Sequence, residues 1–304
     1  MLELRPKAEA IRMGKIKLVI SMDWEGCDLH DSNLNAIAAF KRKYRCPFTH
    51  YLNAGYYTNP NTRNENVTEK IRNILGQDDE AGLHLHAPKH FVEAAGVGLK
   101  TAPTFSKHGD FNRGFEFGQE VMLHGYSKSE LDALIGLSKS LLEDKGFAPI
   151  KSFRAGGWMC DEKIFDSLAD YDFEVESSAT VADFLEGSSW ENDNLQRYIS
   201  LIWDGITPNS APYFVKRPKK ELLEIPNNLG AIDYWKEHWL PSLADICRRN
   251  ARETGAFVAV VNSHQETFKE HGPKLEALLD LFLSEGDDFE FVTNKEVLRS
   301  LKAA

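Results

Sequence analysis

The sequence predicts an α/β fold: a parallel sheet, closed into a barrel or left open, in one domain. Three observations point there. Short apolar runs alternate with segments of helical period over most of the 304 residues, and parallel strands need such crossovers between them. Three of these runs end in clusters of ionisable side chains, at the strand ends where parallel α/β folds gather their working residues. No tract rich in Pro, Gly or Ser divides the chain, so a second domain is not expected.

Residues 1–15 carry Glu3, Arg5, Lys7, Glu9, Arg12 and Lys15 with no apolar core. They are expected to be an N-terminal extension rather than a signal peptide, with the domain proper over 16–304. Residues 17–22 are apolar and read as a buried strand. A second strand is expected over 48–52. A helix follows over 66–75, on Val67, Ile71, Ile74 and Leu75, and then a strand over 80–85. Residues 87–119 are rich in Gly, Lys, His and Phe without a period, which predicts a long, functional loop. The helix over 127–145 has Ser127 and Glu130 as a capping box. Its apolar residues are Leu131, Leu134, Ile135, Leu137, Leu141 and Leu142, and Gly146 stops it. Beyond it, strands are expected over 152–154, 173–177, 222–225, 256–261 and 289–292. Helices are expected over 162–169, 232–252, 274–283 and 294–301.

Bulk composition narrows the function. Hydrophobic and charged fractions of 42% and 27% are those of an ordinary globular protein. A net charge of -10 argues against nucleic acid or an anionic membrane as the main partner, because both select a cationic face. No run of about 18 apolar residues occurs, so no membrane span is expected. Cys27, Cys46, Cys160 and Cys247 are scattered, with no CxxC pair. That predicts neither a disulfide framework nor a cysteine zinc site, and it fits a cytoplasmic protein.

The first cluster is Asp23 and Glu25, closing the run at 18–20. A spacing of two on a strand puts both carboxylates on one face. One can then hold a cation while the other takes a proton. Taken singly, a solvated turn explains the pair as well. The second cluster is His84, His86 and His90. His84 and His86 share the same spacing of two, and imidazole with carboxylate suits zinc and its neighbours. The third is His264, delivered by the apolar run at 258–261. Its chemistry suits acid–base work near neutrality, although a hydrogen-bonded loop histidine is the plainer account. Arg154 ends a short strand before Gly156 and Gly157. It is placed to orient a carboxylate such as Asp23 through a bidentate pair, and free N–H groups in the glycine turn suit an oxyanion.

In this order, the segments resemble the polysaccharide deacetylase family (carbohydrate esterase family 4, the NodB homology domain). Met22-Asp-Trp-Glu25 is similar to its opening acid pair, and Gly82-Leu-His-Leu-His86 to its histidine segment. Phe153-Arg-Ala-Gly-Gly-Trp158 is similar to its arginine motif, and Phe173-Glu-Val-Glu-Ser-Ser178 to the strand after it. Leu223-Glu-Ile-Pro226 and Val260-Val-Asn-Ser-His264 follow in register. The closing strand and helix, from Phe291 through Lys295 and Val297, also match. The resemblance covers residues 17–300.

It implies a distorted (β/α) barrel with its site at the C-terminal face. It also implies one divalent metal, zinc first with cobalt or nickel as alternatives, on Glu25, His84 and His86. Asp23 would be the base, Arg154 its holder and His264 the general acid. Backbone N–H groups near Gly156 would help hold the oxyanion, and Gly157, Trp158 and Tyr213 would meet substrate. Trp24 and Trp203 are further candidates for stacking on a sugar ring. The loop 87–119 and the segment 207–220 are candidates for substrate contact. Three departures stand out. The family's second histidine follows the first by four, where this chain has Pro88. Either His86 replaces it or the pair is His86 and His90. Glu25 replaces an aspartate, so the roles of Asp23 and Glu25 are open to exchange. Gly156 replaces a proline.

The histidine and arginine motifs look like the subgroup attached to lipopolysaccharide and surface-polysaccharide biosynthesis. The implied reaction removes an N-acetyl group from an amino sugar. The implied substrate is an acetylated sugar, nucleotide sugar or lipid-linked glycan met in the cytoplasm. Two other functions fit the same fold: an amidohydrolase acting on a small non-sugar amide, and a metal-free glycan-binding protein. Retention of the acid pair and His264 argues against the second.

Overall fold

A computed structural model describes residues 14–63, 65–105, 117–186 and 193–303. Residues 1–13 of the expected extension and 106–116 of the expected loop lie outside them. The strands are β1 (Lys15–Asp23), β2 (Thr49–Asn53), β3 (Glu80–Leu85), β4 (Ser152–Ala155), β5 (Val175–Glu176), β6 (Tyr213–Lys216), β7 (Glu221–Glu224), β8 (Ala256–His264) and β9 (Phe289–Phe291). The helices are α1 (Asp31–Tyr44), α2 (Val67–Arg72), α3 (Lys89–Ala94), α4 (Lys128–Asp144), α5 (Glu162–Asp170), α6 (Asp193–Ile202), α7 (Leu240–Thr254), α8 (Phe268–Glu285) and α9 (Asn294–Ala303). The sheet runs β6-β7-β5-β4-β3-β2-β1-β8, with β9 also on β1. It curls into the expected distorted (β/α) half-barrel. One edge of β1 follows β8 along its whole length. The other is divided, β9 taking residues 16–18 and β2 residues 21–23.

Among the described residues the strands do not form a complete ring, and an extended segment after β7 finishes the barrel. Asn227 N–H donates to Ala179 O (2.7 Å), Leu229 N–H to Val260 O (3.1 Å) and Ile232 N–H to Asn262 O (3.0 Å). This path joins the end of β5 to β8. At the opposite end α9 docks its N-terminus. Asn294 N–H donates to Thr49 Oγ1 (3.1 Å) and Lys295 N–H to Glu80 Oε2 (2.7 Å), so barrel side chains satisfy the orphan donors of the helix.

Strand alternation separates two cores. Leu18, Ile20, Met22 and Trp24 face the helices, with Leu83, Leu85, Phe153 and the buried faces of α1, α4 and α8. Val19 faces inward, against Val175, Leu223, Ile225, Val260 and Val297 of α9. The period of two then points Ser21, Asp23, His84, Arg154 and Asn262 into the upper barrel, where all are buried.

Several elements differ from expectation, each for a physical reason. The sheet is mixed, because β6 returns antiparallel to β7 in a hairpin. The helix expected from 232 begins at Leu240, since residues 229–232 bond to β8 first. α8 starts at Phe268 and runs through Pro273, its first turn anchored by Phe268 edge-on to Phe40 (5.5 Å). α1 was not expected because its buried apolar side chains are only Leu34, Ile37 and Phe40. α6 and the short α3 were likewise not expected. Among the described residues, no helix is long and apolar enough to cross a membrane.

On the outer face of the sheet, Glu176 and Glu224 stand directly opposite on β5 and β7 and are fully buried. Glu176 accepts from Ser178 N–H (3.0 Å) and from the Ser178 hydroxyl, and Glu224 from Ala179 N–H (2.9 Å). The pair thus braces the turn that presents Ser177 to the barrel interior. Burial raises both carboxyls, and Glu176 adds to the rise of Glu224, which stands well above the usual range. A raised folded-state pKa means stability present below the unfolded value of about 4.3 and lost as pH climbs through the folded value. Glu224→Gln keeps an acceptor for Ala179 and supplies N–H donors without a proton from solvent. It should be near neutral at pH 5 and stabilising by about 1 kcal/mol or more at pH 8. Urea unfolding at the two pH values checks this, and a flat difference would reject the raised Glu224 carboxyl.

Candidate metal centre

β1 and β3 lie on either side of β2, and their C-terminal ends bring Glu25, His84 and His86 together. One ligand atom from each lies within 4.8 Å of the others. His84 Nε2 is 3.3 Å from Glu25 Oε1, and His86 Nε2 is 2.8 Å from Oε2. The far nitrogens are fixed by backbone: His84 Nδ1–H donates to Arg154 O (3.1 Å) and His86 Nδ1–H to Gln119 O (2.7 Å). A carbonyl only accepts, so Nδ1 carries a proton in each ring, and in the neutral form that binds a metal the Nε2 lone pair faces Glu25. His84 Nε2 is buried and makes no hydrogen bond. A buried orphan acceptor, two imidazoles held from behind and a carboxylate form a donor set that fits a zinc-like ion.

With no metal bound, burial opposes ionisation of Glu25, but His86 and His84 in their protonated forms outweigh it and hold the carboxyl well below its usual range; a metal ion would replace those protons. Only about a fifth of the Glu25 side chain is exposed (22%). Its carbonyl accepts from Asn53 Nδ2 (3.0 Å), and its N–H donates to Glu266 Oε1 (3.1 Å). Burial and Glu25 push the Glu266 carboxyl up to about 8.

Asp23 lies below this group. Arg154 Nη1 donates to its Oδ1 (2.9 Å) and Asn262 Nδ2 to its Oδ2 (2.9 Å). The expected bidentate arginine pair is therefore not formed: one guanidinium nitrogen reaches Asp23, and Asn262 takes the other oxygen. The rest of Arg154 is spent elsewhere. Nε donates to Ser177 O (2.7 Å), and Nη2 to Ser177 Oγ (2.9 Å) and Asn227 Oδ1 (2.5 Å).

His264, at the end of β8, turns Nε2 to within 3.8 Å of Glu25 Oε1, and its Nδ1–H donates to Asp233 Oδ2 (3.0 Å). Thr267 Oγ1 donates to the other oxygen of Asp233. Burial works against a charged imidazole, but Asp233 prevails and raises His264 to about 10. Trp158 stands edge-on to His264 (5.8 Å) and to Tyr234 (6.1 Å).

The remaining expected residues divide. Gly156 lies against the metal group, where a Cβ would fall 2.4 Å from the His86 ring. A side chain at this position would therefore displace a proposed ligand. Gly157 and Trp158 are both left-handed, with φ of 61° and 58°. His90 stands apart, bonded through Nδ1 to Thr58 Oγ1 (2.8 Å). Tyr213 lies on the β6 edge strand, 38% exposed, beside Glu224 rather than the metal group. Trp24 is buried among the helices, with Nε1 on His50 Nδ1 (3.2 Å). Trp203 is also buried and donates Nε1–H to Trp158 O (2.7 Å). Asn262 escaped the sequence reading although it stands two before His264, a spacing that would have found it. Asp233, Gln119 and Asn227 come from irregular chain with no such signal.

No family model matches the sequence, and no curated protein matches it either. Solved structures do. A Mycobacterium smegmatis protein assigned as a polysaccharide deacetylase aligns over 99% of this chain and 96% of its own, at 13% identity and a TM-score of 0.56. The fold is the NodB-type distorted (β/α) barrel. It is shared with the 4-alpha-glucanotransferase of Thermococcus litoralis (12% identity, TM-score 0.51), covering 94% of this chain and 38% of that enzyme. The chitin deacetylase of Colletotrichum lindemuthianum is a looser likeness, at 13% identity and a TM-score of 0.47 over 92% and 86% of the two chains.

The NodB-type barrel of this chain has no space for a side chain at Gly156. Gly156→Ala should displace His86, weaken divalent-metal binding by about tenfold or more and cost about 1–3 kcal/mol. Chelator competition and urea unfolding measure the two effects. Unchanged metal affinity would separate Gly156 from the ligand geometry.

Proposed function

We propose that the chain is a metal-dependent hydrolase that removes an N-acetyl group from an amino sugar of a polysaccharide or lipopolysaccharide precursor. The observation that carries this reading is the convergence of Glu25, His84 and His86 with Asp23 and His264 beside them. When bound, a divalent ion (zinc first, with cobalt and nickel as alternatives) supplies Lewis-acid polarisation of an amide carbonyl and a water acidic enough to lose a proton near neutrality.

The protein's own residues supply the proton traffic. Asp23 accepts one hydrogen bond from Arg154 and one from Asn262. Each carboxylate oxygen has two lone pairs, so capacity remains to take a proton from the attacking water. Arg154 and Asn262 hold that carboxylate in place. His264, kept charged by Asp233, gives a proton to the departing amine. Trp158 and Tyr234 wall the His264 side and exclude water there. The backbone at Gly156 and Gly157 is the candidate holder of the oxyanion.

The sugar, and a cytoplasmic nucleotide sugar or lipid-linked glycan as its carrier, rest on the resemblance of the histidine and arginine motifs. The alternative substrate is the amide of a small non-sugar compound, and release of a new amine from each class of substrate distinguishes them.

The test begins with metal content. Wild-type protein should carry about one divalent ion per chain, and Glu25→Ala and His84→Ala should carry none while remaining folded. Wild type should release acetate from an acetylated amino sugar, and His264→Ala should lose about 10²–10⁴-fold in kcat. Wild type that takes up no zinc, cobalt or nickel would overturn the mechanism.

A further inference from the structure

Glu25 lies beyond the end of β1, outside the strand ladder, so its position depends on side chains that grip it. We propose that Gln119 is a positioning residue for the metal ligands, tying Glu25 to His86; this rests on the metal-binding reading above. Gln119 Nε2 donates to the Glu25 carbonyl (3.0 Å) and to carboxylate Oε2 (3.3 Å), which engages both amide hydrogens. Its own backbone carbonyl accepts from His86 Nδ1 (2.7 Å). One residue thus holds two of the three ligand side chains, which arrive from different strands. Asn53 and Glu266 also bind the Glu25 backbone, but Gln119 reaches the carboxylate as well.

The local chain is shaped to deliver Gln119. Lys89 N–H donates to Phe117 O (2.7 Å), so the returning arm of the loop lies against the segment leaving His86. Gly118 has φ +95°, and a Cβ there would stand 2.9 Å from Ala87 O. Only glycine permits both the left-handed turn and that close approach. On its far side the arm is pinned by Met122 N–H on Pro103 O (2.9 Å) and by an antiparallel bridge from Val121 to Thr104. Partners behind metal ligands fix their orientation and commonly change affinity 10–100-fold. Gln119 does this for a carboxylate and an imidazole at once.

Gln119→Leu isolates the side-chain amide. It keeps comparable bulk and leaves the backbone carbonyl on His86. Three quantities are compared with wild type: zinc affinity by chelator competition, the visible absorption of the cobalt-loaded protein, and the unfolding midpoint without metal. We expect zinc affinity to fall about tenfold or more, the cobalt band to shift, and the metal-free midpoint to stay. Equal affinity and superimposable cobalt bands, with wild type binding both ions, would overturn the proposal and leave the metal reading intact. Wild type that binds neither ion overturns both. If Gln119→Leu does not fold, zinc titration into ¹⁵N-labelled wild type decides. The Gln119 side-chain amide resonance should move as the site fills, and one that stays put overturns the proposal.

Discussion

The guanidinium of Arg154 lies wholly inside the barrel, where an unpaired cation costs several kcal/mol. It is tolerated because its donors meet Asp23, Ser21, Asn262, Ser177 and Asn227. Its plane also lies over the Tyr51 ring at 4.3 Å, a favourable cation–π arrangement. These partners come from β1, β2, β8, the turn after β5 and the closing segment after β7. One buried charge therefore ties together the strands that the sheet alone does not close into a ring. Removing any one acceptor leaves part of the charge uncompensated, which is why such networks specify one arrangement.

The candidate metal centre depends on that network in two ways. Arg154 fixes Asp23 through its side chain, and through its backbone carbonyl it holds His84. The proposed proton acceptor and one proposed ligand are thus set by the same residue. The turn that receives Arg154 is itself braced from the outer face by Glu176 and Glu224. Support for the site extends through the sheet to its far side, an arrangement that keeps first-contact groups rigid.

The barrel does not choose the reaction. A glucanotransferase shares it, and fold-level likeness leaves chemistry open. What separates possible functions is the inventory at the strand ends. Here that inventory is an acid pair on alternate positions of one strand end, two imidazoles on the same face of another, and a histidine backed by an aspartate.

The sequence by itself determined the parts that depend on local spacing. Residues two apart on extended chain share a face whatever it packs against, so Asp23 with Glu25 and His84 with His86 were legible as pairs, although β1 ends at Asp23 and β3 at Leu85. The capping box at Ser127 and Glu130, also local, formed as expected. The tertiary structure decided everything that joins distant chain. Arg154 meets Asp23 across 131 positions and Asn262 meets it across 239. No local pattern records that Asn262 would take the oxygen expected for arginine. Asp233 and Gln119 arrive on irregular backbone, where neither a period of two nor one of 3.6 carries information. His90 is near its fellow histidines in sequence, yet it turns to Thr58 because a short helix after β3 carries it away from Glu25. The reason throughout is that side-chain direction is set by local backbone, whereas partnership is set by which strands become neighbours.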